Sequence, residues 1–323
     1  MKFFENFFIV FVSLLVLPLF ALSADSPVVQ QHSEVGWYLF TSFRGGGDGL
    51  HLALSRDGYN WKALRNDEIF LKANVGGSCM RDPSIAEGPD HVFRLVWTSG
   101  WTVDRKPQIG YCTTTNFVDW TPQKGISLME NFKNVRNVWA PELFYDENEQ
   151  LWYIIWSSTV TGYDETFTNI SEDKYNHRAY YATTKDFETF SESKIYFDPH
   201  INMIDSTLIR NGKQYILFFK DERLNPVEKN LRMAFADSPE GPFEGVSAAI
   251  TTNWVEGPSV LKIGDTWLCY FDHYASPHYY GAIRSTDLKN WEDCSKECVF
   301  PKDHRHGTVI TITKELGEKL LGL

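Results

Sequence analysis

One pattern occurs five times along this 323-residue chain: an alternating strand, then Ser or Thr, then Asp or Asn, then a closing aromatic. The copies are LHLALSRDGYNW (50–61), IGYCTTTNFVDW (109–120), AYYATTKDFETF (179–190), LRMAFADSPEGPF (231–243) and YGAIRSTDLKNW (280–291). Each reads as a strand, a tight turn and a short outer strand. Ahead of each copy lies a further alternating strand: WYLFTSF (37–43), FRLVWTS (93–99), LWYIIWSS (151–158), QYILFFK (214–220) and TWLCYFD (266–272). Four of these are preceded by an opening strand, at RDPSI (81–85), APELFY (140–145), DSTLIR (205–210) and EGPSVL (256–261). The first copy has no opener, and one opener, HGTVITI (306–312), is left over near the C-terminus. The chain therefore holds four complete four-stranded units and one split between its two ends. A ring of radial sheets whose last blade is closed by both terminal strands accounts for this count. An open sandwich has no need of a missing first strand returned at the other end. The expected fold is an all-β, five-bladed β-propeller over residues 25–323, with KELGEKLLGL (314–323) as a short helix or tail.

In a propeller the opening strands line the central channel. Aligned on their hydrophobic residues, they place Asp82, Ala140, Asp205, Gly257 (with Glu256 just before it) and His306 in one column. Two residues on, where side chains return to the same face, stand Ser84, Glu142, Thr207, Ser259 and Thr308. The next position is apolar throughout: Ile85, Leu143, Leu208, Val260 and Val309. One face of each inner strand is thus polar and is expected to face a wet axial channel. Carboxylates crowded at one channel mouth repel, and at least one should hold its proton more tightly than usual. A purely structural role would repeat one residue type in every blade. This column varies, as a site with differentiated roles does.

Loops between second and third strands are expected at the same mouth. They supply Phe43, Arg44, Asp48, Trp101, His177, Arg178, Lys220, Asp221, Asp272, His273 and Tyr274, and Trp139 precedes the second opener. Aromatic faces among charged hydrogen-bonding groups suit a sugar ring. Gly45, Gly46 and Gly47 join two strands rather than leading into a helix, so they are no phosphate loop. The formal charge of −11 argues against a nucleic-acid partner. Residues 2–24 carry one Lys, an apolar run and small residues, the pattern of a secretory signal peptide cleaved near Ser23 or Ala24. A secreted, extracellular or periplasmic monomer without a membrane span is expected. Among five cysteines, Cys294 and Cys298 in CSKEC are near enough for a local disulfide, and Cys79, Cys112 and Cys269 read as buried thiols. Asn169 in NIS is a glycosylation acceptor.

RDPSI, WAPELFYD, NMIDSTLI, WVEGPSVL and HGTVI, in this order, resemble glycoside hydrolase family 43 over about residues 37–312. SFRGGGDGLHLALSRDGYNW and NHRAYYATTKDF resemble its arabinofuranosidase and galactofuranosidase branch. The resemblance implies a five-bladed propeller and an inverting hydrolase. It implies Asp82 as general base, Asp205 as the residue that orients the acid and raises its pKa, and Glu256 as general acid. His306 matches the family's axial histidine, near which a structural calcium ion is implied; no cofactor is required. The expected activity is exo-hydrolysis of a terminal α-L-arabinofuranose or β-D-galactofuranose from an oligo- or polysaccharide. The alternatives are a β-xylosidase on the same scaffold, a non-catalytic sugar-binding propeller, and a phosphorylase using Arg44, Arg178 and Lys220.

Overall fold

Strand alternation in this chain builds blades, and aromatic residues fill the spaces between them. The computed structural model describes Met1, residues 35–100 and residues 107–323. The expected signal segment lies outside the described residues. The first strands are β1 (Val35–Ser42), β2 (His51–Ser55) and β3 (Lys62–Ala63). One blade then follows as β4 (Arg81–Glu87), β5 (Phe93–Thr98), β6 (Ile109–Thr114) and β7 (Lys124–Ile126). The next comprises β8 (Trp139–Asp146), β9 (Leu151–Ser158), β10 (Arg178–Thr184) and β11 (Lys194–Phe197). A three-stranded sheet follows, of β12 (Met203–Asn211), β13 (Gln214–Asp221) and β14 (Asn230–Ala236), its outer place taken by a lone Phe235–Glu244 bridge. The fourth contains β15 (Val255–Ile263), β16 (Thr266–His273), β17 (Tyr279–Ser285) and β18 (Glu292–Asp293). Finally β19 (Val309–Thr313) returns to the first strands, giving a sheet of order β19-β1-β2-β3. The molecule is a five-bladed β-propeller, and the split blade is the one expected from the leftover opener.

Closure of that blade is specified by small residues. Phe40 pairs with Val309 across the β1–β19 ladder. Thr308 N–H donates to Thr41 Oγ1 at 2.9 Å, and the Thr41 hydroxyl donates to Pro83 O of the adjacent blade at 2.6 Å. A side chain at Gly307 would overlap the Thr41 carbonyl. The C-terminal tail forms α1 (Lys314–Leu321), capped by Thr313 Oγ1, which accepts from Leu316 N–H.

In four of its five copies the motif is a turn device; the 231–243 copy has Ala236 in place of the hydroxyl. Ser55, Thr114, Thr184 and Ser285 each accept a backbone N–H from Gly58, Phe117, Phe187 and Leu288 respectively. Those four residues are left-handed, at φ 76°, 61°, 57° and 59°. The Asp or Asn two residues after the hydroxyl caps the next N–H groups, as Asp57 does for Tyr59 and Asn60. Between blades, Tyr111 stacks on Phe187 at 4.6 Å, Phe218 meets Trp291 at 5.8 Å and Phe40 meets Tyr270 at 5.2 Å. Much of the chain's aromatic content is therefore core, each buried ring stabilising by about 1.5–3 kcal/mol. Cys294 and Cys298 of CSKEC, near enough in sequence for a local disulfide, stand here as free thiols.

Candidate active site

The first column of the inner strands is a column of β-bulges. Pairing slips between Arg81 and Ser84, Trp139 and Glu142, Ile204 and Thr207, and Glu256 and Ser259. The bulged residue is left-handed each time: Asp82 (φ 50°), Ala140 (φ 48°), Asp205 (φ 54°) and Gly257 (φ 62°). A bulge re-aims a side chain, and Asp tolerates this conformation better than most residues. The second column is less wet than expected. Ser84 Oγ accepts Leu143 N–H of the next blade at 3.2 Å, and Ser259 Oγ accepts Val309 N–H at 2.9 Å. Thr207 and Thr308 hydroxyls donate to opposite oxygens of Glu142, at 2.8 and 3.3 Å. These groups stitch blades together around the axis. Burial raises the Glu142 pKa despite the hydroxyls around it.

At the mouth, His306 Nδ1 lies 3.3 Å from Asp82 Oδ1 and 3.8 Å from Asp205 Oδ2. Thr98 donates to Asp82 Oδ2 at 2.8 Å, and Asp205 Oδ2 accepts Gly257 N–H at 3.0 Å. Burial works against ionised Asp82, but the hydrogen bond and charge of His306, with Arg81 nearby, outweigh it and hold the carboxyl below its ordinary range. Asp205 goes the other way. Burial first, then the Glu256 and Asp82 charges, push it up to about 7. Burial disfavours the His306 cation, yet Asp205 and Asp82 prevail and raise it to about 9. The imidazolium lets two carboxylates share one mouth.

Glu256 sits one residue before its bulge. Its Oε2 receives a hydrogen bond from Lys220 Nζ at 3.1 Å, and its Oε1 lies 3.6 Å from Arg305. The column skips it because Gly257 takes the left-handed place, where any Cβ would overlap the His306 ring. Gly257→Ala should therefore displace His306 and cost about 2–5 kcal/mol, the sum of left-handed strain and overpacking. A denaturant melt measures it; an unchanged midpoint would mean the ring has room.

Asp82, Asp205 and Glu256 all line one cavity of about 180 Å³. Trp139, Tyr175 and His177 form an aromatic wall: Tyr175 lies parallel to His177 at 5.0 Å and beside Trp139 at 4.8 Å. Burial pushes His177 down to about 3, so its imidazole is neutral, with Nδ1 engaged by Thr159 Oγ1 at 3.1 Å.

Of the expected binding residues, Trp139, His177 and Lys220 line this cavity. Tyr274 stands behind Lys220, whose Nζ lies 4.3 Å from its ring. The others among the described residues sit elsewhere. Arg178 is 0% exposed and held by Asp164 at 2.7 Å and Asp198 at 2.6 Å, beneath the 157–178 loop. Arg44 pairs with Asp67 at 2.6 Å, and Asp48 accepts Arg44 N–H at 2.9 Å. Phe43 is a floor beneath Arg81 and Arg305, at 4.7 and 5.7 Å. Asp272 is buried and grips Arg305 at 2.5 Å. Trp101 lies outside the described residues. Asn169 uses its side-chain amide to tie the long loop to Leu224 and Asn225. Glu222, Arg305 and Tyr175 were missed by sequence reasoning. Strand alternation from Lys220 does put Glu222 on its face; no periodicity marks Arg305.

An axial calcium does not fit the protein ligands at hand. Calcium takes 6–8 oxygen ligands, and no group of three or more His, Cys, Asp or Glu among the described residues could hold a metal. His306 Nδ1 is occupied by carboxylates.

The propeller thus brings three carboxylates into one small cavity. Residues 34–318 match the family described as "Probable glycosyl hydrolase domain", related to glycoside hydrolase family 43, and the chain belongs to that family. A curated relative, an α-L-arabinofuranosidase of Bifidobacterium longum, is 25% identical over 203 residues. That match covers 57% of this chain but only 19% of the relative, so the chain spans about a fifth of that protein's length. Among solved structures, an α-L-arabinofuranosidase from Podospora anserina, solved with cellotriose, aligns with TM-score 0.53 at 13% identity, covering 84% of this chain and 79% of that one. The catalytic domain of a Coprinopsis cinerea α-L-arabinofuranosidase aligns with TM-score 0.52 at 14% identity, over 71% and 72%. At such identities the structural likeness speaks for the fold alone.

Proposed function

We propose that the protein is an inverting exo-glycosidase that removes a terminal furanose, α-L-arabinofuranose or β-D-galactofuranose, from a glycan. The observation that carries this is the meeting of Asp82, Asp205 and Glu256 in one cavity. Asp82, kept ionised by His306, activates water. Glu256 protonates the leaving oxygen from the other side of the sugar, as inversion requires. Asp205 stands between them. Its carboxyl ionises as pH rises through about 7, and the negative charge gained there opposes loss of the acid's proton. The cavity, about 180 Å³, is below the roughly 300–1,000 Å³ of drug-sized sites, which favours one terminal sugar residue. The arabinofuranosidase relative supports the furanose reading, and the aromatic wall offers that ring a face.

A panel of nitrophenyl α-L-arabinofuranoside, β-D-galactofuranoside and β-D-xylopyranoside tests the sugar; a furanoside should be turned over fastest. Proton NMR of the first product formed should show the inverted anomer. Retention of configuration would remove Asp82 as water-activating base and Glu256 as its inverting partner.

A further inference from the structure

Two buried lysines flank the cavity with carboxylates between them. Lys220 Nζ lies 2.8 Å from Glu222 Oε2 and 3.1 Å from Glu256 Oε2. Lys229 Nζ lies 2.6 Å from Glu222 Oε1 and 2.9 Å from Glu172 Oε2. Alternating charge thus runs from Glu172, on the long rim loop, through Lys229, Glu222 and Lys220 to Glu256. The Asn169 contacts to Leu224 and Asn225 pin the same two loops together.

This arrangement answers a difficulty that the acid faces. Glu256 is confronted by two cations, Lys220 from β13 and Arg305 from the segment before β19. Opposite charge within about 4–6 Å favours an ionised carboxylate, and an ionised acid has no proton to give. Each cation, however, has a nearer carboxylate. Lys220 is closer to Glu222 (2.8 against 3.1 Å), and Arg305 is closer to Asp272 of β16 (2.5 against 3.6 Å). The Lys220–Glu222 contact, at 2.8 Å, is a close ion pair. Its role is charge. Asp205 of β12, through the Gly257 N–H, and the Tyr274 ring over Lys220 complete the surroundings of Glu256, with the His306 cation beyond.

We propose that Glu222 is a positioning residue for acid catalysis: it takes up the charge of Lys220 so that Glu256 keeps its proton, and Lys229 holds it there from the rim-loop side. On this view Lys220 acts through Glu256 and not on the sugar. The proposal rests on the reading of Glu256 as the acid.

The test compares pH profiles of kcat/KM on the best nitrophenyl furanoside for wild type, Glu222→Gln, Lys220→Met and the double variant. The basic limb reports loss of the acid's proton. Glu222→Gln should move that limb down and Lys220→Met should move it up, each by about 1 pH unit. The double variant should return near wild type, since the two effects are coupled. Should one single variant fail to fold, the sign of the other still decides. Limbs that stay put, or move in the same direction, overturn the proposal. Glu256→Gln, assayed beside them on an unactivated substrate, keeps the two readings apart. Full turnover there removes Glu256 as acid; lost turnover with unmoved limbs removes only the role of Glu222.

Discussion

Glu256→Gln is expected to slow hydrolysis of a sugar-linked furanoside by about 10²–10⁴-fold, the usual contribution of a general acid. The same variant should keep most of its rate on a dinitrophenyl furanoside. A dinitrophenolate leaves without a proton, whereas a sugar alkoxide does not. Gln matches Glu in shape and retains an oxygen for Lys220, 3.1 Å away, so the cavity should survive and sugar binding should stay within a few-fold. The contrast between substrates is the measurement that matters, with binding followed by calorimetry. A non-catalytic sugar-binding propeller would show no turnover in wild type to lose. Equal loss on both substrates would mean that Glu256 supports the cavity without donating a proton.

Much of this was legible because a propeller repeats. Counting strands located the split blade, since HGTVITI had no other sheet to join. Aligning openers found Asp82 and Asp205, because the bulge falls at one register position in the inner strands, and found His306 by its spacing ahead of β19. Glu256 escaped the column for a local reason: its blade needs glycine at the bulge to admit the His306 ring. Loop residues were far less legible. Arg178 and Arg44 looked like ligands from their chemistry, yet each is turned inward onto carboxylates of its own loop neighbourhood. No periodicity fixes a loop side chain's direction, so charge in a loop reads equally as ligand or as anchor. Arg305 shows the converse. It adjoins His306 in sequence and reaches Glu256 only because the segment before β19 is irregular. The polar second column was read as lining water, but blade-to-blade hydrogen bonds use the same alternation.

Asp82→Asn is expected to lower turnover by about 10²–10⁴-fold on sugar-linked and dinitrophenyl substrates alike. Water must be activated whatever the leaving group, so this loss should ignore the difference that Glu256→Gln obeys. Asn is the right replacement because Asp82 is left-handed, at φ 50°, a conformation that Asn also adopts readily. Its amide can still accept from Thr98, which donates to Asp82 Oδ2 at 2.8 Å. What it loses is the negative charge facing His306 at 3.3 Å. The sign of the pH dependence follows from that pair. Because the His306 hydrogen bond and charge outweigh burial and hold Asp82 below 3.8, the base stays ionised as pH falls through the ordinary carboxylate range. The stability from the pair is present between that range and about 9, where His306 loses its proton, and on the acid side it fades as pH drops through the lowered value. The step that Asp82 contributes to the acid limb of kcat/KM should therefore lie below 3.8 in wild type. An Asp82→Asn enzyme that still hydrolysed both substrates would move water activation to another carboxylate. Asp205, across His306 at 3.8 Å, would then be the group to replace, and a base with its pKa raised to about 7 would put the acid limb near neutrality.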